Sequence, residues 1–126
     1  MNATTFAVGA ARARLAFGIA ALAAPAVMVT SMTGRSPEGA EREFTRMWGG
    51  RDAALGLGLI AAVNGGAPVA GWVRAAAVAD ACDAVGAVLG RTRLSENGFK
   101  VTLAIAGGSA AAHLLLAPWA DRRAGL

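Results

Sequence analysis

Charge is scarce in this chain. Charged residues make up 16% of its 126 positions, against roughly 25% in an ordinary soluble domain. Hydrophobic residues make up 56%, and the mean hydropathy is +0.50. A soluble chain this short has too little interior to hide that much apolar surface, so burial in lipid is the simpler solution. Cysteine is nearly absent. Cys82 stands alone, which excludes an internal disulfide and a Cys-x-x-Cys redox pair. A quinone-linked membrane thiol oxidoreductase needs such pairs. Cys82 itself reads as a small buried residue of an Ala-rich helix. Histidine occurs once, at His113, so no metal site is expected, and no cofactor is implied. Basic residues outnumber acidic ones by twelve to eight, yet they form no block and no aromatics interleave with them. That argues against nucleic acid as a partner. They lie mostly between apolar runs, as expected for loops beside anionic lipid.

Four apolar segments remain, at 15–32, 48–64, 67–90 and 99–119. Each reaches roughly 25–36 Å as a helix, enough for a hydrocarbon core of about 30 Å. The pattern predicts an all-α integral membrane four-helix bundle, one membrane domain over 1–126, with both termini on the same side. NGGAP (64–68) is a turn between the second and third helices, and RTRLSENGFK (91–100) a polar turn before the fourth. Pro25 falls inside the first helix and should kink it. The long connection at 33–47 carries a good N-cap in Ser36 and a good first helical residue in Pro37. Ala40, Phe44, Met47 and Trp48 then share one face. The spacing predicts a short amphipathic helix in the membrane plane, with a plain extension of the second span as the rival. Glycine-rich faces suit close helix packing in lipid: Gly86 and Gly90 on the third helix, Gly56 and Gly58 on the second, Gly107 and Gly108 on the fourth.

Two aspartates, Asp80 and Asp83, interrupt the third segment. They lie three residues apart and share a helical face. An ionisable group in lipid is costly unless paired. Counting back and forward from a hairpin turn near Gly66 brings Arg51 and Asp52 to the same depth. The expected answer is an intramembrane cluster of Arg51, Asp52, Asp80 and Asp83, paired for structure rather than chemistry. A second polar level is expected toward the other face, from Arg14, Arg74 and His113, with the arginines snorkelling to headgroups.

RLAFGIAALAAP (14–25), TRMWGGRDAALGLGL (45–59) and VRAAAVADACDAV (73–85) resemble a bacterial family of small four-helix membrane proteins that look distantly like DoxX-type proteins. The residues that carry the likeness are Arg14, Gly18 and Pro25, then Arg46, Gly49, Arg51 and Asp52, then Asp80 and Asp83. The resemblance implies architecture and no activity. From size, composition and the missing catalytic set, the expected role is a non-catalytic subunit of the bacterial cytoplasmic membrane. It would contact membrane lipids and a larger envelope complex, for example a lipid transporter. The alternative is a small transporter or a lipid- or quinone-binding protein that uses the Arg–Asp cluster. Small multidrug transporters of similar size place a glutamate in their first helix, which this chain lacks.

Overall fold

The computed structural model describes residues 3–120. Five α-helices account for most of them, and there is no strand among the described residues. They are α1 (Ala3–Ala23), α2 (Pro25–Thr33), α3 (Glu41–Asn64), α4 (Ala70–Leu89) and α5 (Glu96–Leu116). Single 3-10 turns follow α4 at Arg91–Arg93 and α5 at Ala117–Trp119. Among the described residues, two segments are long and apolar enough to cross a membrane: Thr5–Ala23 and Glu96–Trp119.

Proline and glycine set the breaks. Pro25 does more than kink the first apolar segment. Its missing N–H ends α1 at Ala23, and it becomes the first residue of α2, the position where that N–H is not needed. Gly34, at φ +75°, closes α2 in the left-handed conformation, its N–H returning to the Thr30 carbonyl at 2.8 Å. Gly66, at φ +65°, turns the chain between α3 and α4.

The separate amphipathic helix is not formed. Ser36 to Glu38 are irregular, Gly39 takes φ +53°, and α3 starts at Glu41 and runs unbroken into the second apolar segment. A bidentate ion pair explains the displacement. Arg35 donates through both terminal nitrogens to Glu41, at 3.0 and 2.7 Å, and the Glu38 N–H also donates to that carboxylate. Glu41 thereby ties the loop to the first turn of α3, where an acidic side chain is favoured. Phe44 and Met47 stay exposed on the first turns of α3.

The helices pack as two pairs, α1 on α3 and α4 on α5, with α2 leaning on α3 and α5. Backbone contact holds the first pair. A Cβ on Gly18 would stand 2.5 Å from the Ala53 nitrogen, and one on Gly49 would stand 2.7 Å from the Gly18 carbonyl. Gly56 admits the Ala11 carbonyl in the same way. The glycines expected to pack α4 and α5 do otherwise: Gly86, Gly107 and Gly108 face open space. Ser95 caps α5 by accepting from the Gly98 N–H, and both its N–H and its hydroxyl donate to the Met32 carbonyl. That junction fixes the end of α2 to the start of α5.

The apolar core lies at one end. Ala7 and Ala11 of α1, Leu59 and Ala62 of α3, Val69, Ala70 and Val73 around the start of α4, and Ala117 after α5 form one buried cluster. The start of α1 and the end of α5 therefore lie at the same end, beside the α3–α4 turn. The middle of the molecule is polar inside and apolar outside. Asp52, Asp80 and His113 are buried, while Ile19, Leu57, Val78, Val85 and Ile105 are more than half exposed.

Candidate functional site

All four long helices contribute to one alternating chain of charges. Arg51 of α3 grips Asp83 of α4 through two contacts, at 2.9 and 2.6 Å, and bonds its neighbour Asp52 at 2.9 Å. Trp48, one turn earlier, donates its indole N–H to Asp83 at 3.0 Å. Arg14 of α1 donates to Asp52 at 2.9 Å and, through its other terminal nitrogen, to Asp80 of α4. The far oxygen of Asp80 accepts from the Ser109 hydroxyl of α5 at 2.6 Å and lies 3.4 Å from Nδ1 of His113. The series therefore runs Asp83, Arg51, Asp52, Arg14, Asp80, and ends on Ser109 and His113. Among the described residues, no fully buried side-chain polar atom lacks a partner, as a low-dielectric interior requires.

Arg51 meets Asp83 across the α3–α4 hairpin, but it does not reach Asp80. The cation of Asp80 comes from α1. The reason is the packing of α1 on α3 through glycine, which carries Arg14 into the interior instead of letting it snorkel. Arg14 and His113 thus belong to the same cluster as the aspartates and form no separate level. Arg74 is exposed and joins neither. Cys82, read as buried, is exposed on α4. Ser109 and Trp48 were not among the expected site residues. Their signal was present, since Ser109 and His113 are four apart and share a face of α5, as do Trp48 and Asp52 on α3.

The proton positions follow from the donors available. Ser109 has one hydroxyl hydrogen, and its short bond to Asp80 uses it. Nδ1 of His113 lies 3.2 Å from that same Ser109 oxygen and 3.4 Å from Asp80. Facing two acceptors, Nδ1 carries the hydrogen of the neutral ring, which leaves Nε2 as the acceptor nitrogen. Serine and aspartate both meet the same ring nitrogen. This is not a nucleophilic relay, in which the imidazole stands between them. Among the described residues, no cluster of three His, Cys, Asp or Glu side chains can hold a metal ion.

The network floors a cavity of about 430 Å³ between α1, α2 and α5. Its walls are apolar, from Phe17, Met28, Met32, Val101, Ile105 and Ala106, and its floor carries Arg14, Asp52, Asp80, Asp83, Ser109 and His113. Phe17 and Trp48 meet edge to face there, with ring centroids 4.8 Å apart. A second, more open cleft of about 340 Å³ adjoins it across Met32, Trp48, Asp83 and Thr102 and reaches Glu41 and Arg93 at the loop end. Outside the apolar segments, Arg35 holds the Glu41 carboxyl down at about 2, with help from the Glu38 N–H. Glu41 in turn raises the Arg35 guanidinium above its ordinary value. No family model, curated protein or solved structure matches this chain.

Proposed function

We propose that this chain is a non-catalytic, four-span protein of the bacterial cytoplasmic membrane that binds an amphiphilic small molecule between its helices. The cavity is the observation that carries this reading. Its volume of about 430 Å³ lies in the ordinary range for small-ligand sites, and apolar walls with a few converging polar groups are their usual lining. The four spans would be α1 with α2, then α3, α4 and α5. Charge is what keeps α3 and α4 from counting as apolar, and most of that charge is accounted for. Arg51, Asp52, Asp80 and Asp83 are paired in the interior, and Glu41, Arg42, Glu43 and Arg46 cluster at the loop end of α3. The exposed Ile19, Leu57, Val78, Val85 and Ile105 suit contact with lipid. The likeness to small DoxX-like membrane proteins is in keeping with this layout.

The test is extraction. Protein purified in mild detergent is dissolved in organic solvent, and the released lipids and quinones are identified by mass spectrometry. An amphiphile enriched over bulk membrane lipid, and lost from Ala106→Phe, which fills the cavity, is the expected result. Wild type and filled variant carrying the same lipids would refute the reading. A second role, as an accessory subunit of a larger envelope complex, is favoured by the open faces at Gly86, Gly107 and Gly108. Co-purification of a stoichiometric membrane partner, lost when these glycines are replaced by leucine, would support it.

A further inference from the structure

The charges of the network do not balance. Arg14 and Arg51 supply two positive charges, and Asp52, Asp80 and Asp83 supply three negative ones. Arg51 is shared by Asp83 and Asp52, and Arg14 by Asp52 and Asp80, so no carboxylate has a cation to itself. Asp52 and Asp80 sit deepest, their side chains 8% and 7% exposed against 18% for Asp83, and an uncompensated negative charge is costliest there. Among the described residues, the base beside them is His113, whose Nδ1 lies 3.4 Å from Asp80 and is already committed. The cavity opens on the same place. Two aromatic rings, Phe17 and Trp48, stand in its wall, and aromatic faces attract cations most strongly where water is excluded. A site with one uncompensated negative charge, aromatic walls and an apolar body favours a positively charged guest.

We propose that the cavity takes one lipophilic monovalent cation, an amine or a quaternary onium ion with an apolar body, in exchange for a proton on Nε2 of His113. Cation and proton compete for the same surplus charge, so only one is held at a time. The charged groups joined to His113 through the network are Asp80 directly, then Arg14 from α1, Asp52 and Arg51 from α3, and Asp83 from α4. α2 contributes no ionisable side chain. None of these groups except His113 needs to change its charge for the exchange. The exchange breaks one N–H bond at Nε2 and releases that proton to water, with no oxidant or reductant. This proposal rests on the amphiphile-binding reading and specifies the class of guest.

The experiment uses the full chain in lipid nanodiscs, with empty nanodiscs as reference. Tetraphenylphosphonium and a neutral, short-tailed benzoquinone are titrated in parallel by calorimetry, in buffers of different ionisation enthalpy. Saturable tetraphenylphosphonium binding is expected, with release of about one proton at acidic pH and an affinity that rises by up to about tenfold per pH unit until His113 is deprotonated. His113→Gln should flatten the pH dependence and abolish the proton release. Binding of the cation with no proton released and no pH dependence in wild type would overturn the exchange. Binding of the quinone alone would overturn the cationic class and leave the amphiphile reading standing. Binding of neither, by wild type that remains folded, would remove both.

Discussion

Asp80 is the most heavily engaged carboxylate in the chain, with Arg14 on one oxygen and Ser109 and His113 on the other. Its neighbour Asp83 is held by Arg51 and Trp48 nearer the loop end. The two arginines differ in depth, their side chains being 9% and 34% exposed. Removing a partner from a buried pair costs roughly 3–5 kcal/mol, because the remaining charge is stranded. Arg14→Leu should therefore destabilise the protein by about that amount. Arg51→Leu should cost clearly less, since water still screens Asp83. Thermal unfolding in detergent ranks the two, and the reverse order would mean that the Arg14 bridge is not the main tie. At the loop end, Glu41 gives a pH signature. Its carboxyl is depressed from 4.5 to about 2 in the folded protein, so its contribution is complete above 4.5 and is lost as pH falls through about 2. The difference in unfolding midpoint between wild type and Glu41→Gln should be full at neutral pH. It should shrink below the ordinary carboxylate range and vanish near pH 2.

Among the elements, the contact of α1 with α3 decides where the interior charges can meet. Gly18, Gly49 and Gly56 bring two backbones together, and that approach carries Arg14 in line with Asp52. Gly49→Val would push a methyl into the Gly18 carbonyl and the Ala21 Cβ, both under 3 Å from the added Cβ. Overpacking of this kind costs about 1–3 kcal/mol, and here it also pulls Arg14 off its partners. Gly86→Val, on a face with open space, should leave the unfolding temperature within a degree or two of wild type, by the usual scale for surface changes. Equal effects at the two positions would show that α4, too, packs through its glycine.

For the whole molecule, the end at which α1 starts and α5 finishes is a topological consequence. Ala7, Leu59, Val73 and Ala117 share one core, so the start of α1, the end of α5 and the α3–α4 turn lie together, opposite the α2–α3 loop and Ser95. In a Cys82→Ala background, Ser36→Cys and Glu96→Cys should react with a membrane-impermeant maleimide from one side of sealed vesicles. Ala67→Cys should react only from the other. Labelling of all three from one side would refute the four-span arrangement.

Much of this was legible in residues alone. Apolar run lengths and breakers placed the third and fourth segments within three residues of α4 and α5, but α1 starts twelve residues before the first apolar run and α3 seven before the second. The spacing of Asp80 and Asp83 announced an interior partner. Arg51 was found because it lies on the next helix in sequence, where a hairpin fixes depth by counting. Arg14 was not, because its contact joins helices 38 and 66 residues apart, and no count along the chain fixes the rotation of one helix against another. Glycine content suggested close packing, but which glycines touch depends on that same rotation: Gly18 and Gly49 do, Gly86 does not. The Arg35–Glu41 pair moved the start of α3 past a good capping residue, because a bidentate ion pair can outweigh a local cap. Sequence determined which residues are too polar for lipid. Only the tertiary structure decided that they join in one chain of alternating charge, one positive charge short, beneath an apolar cavity.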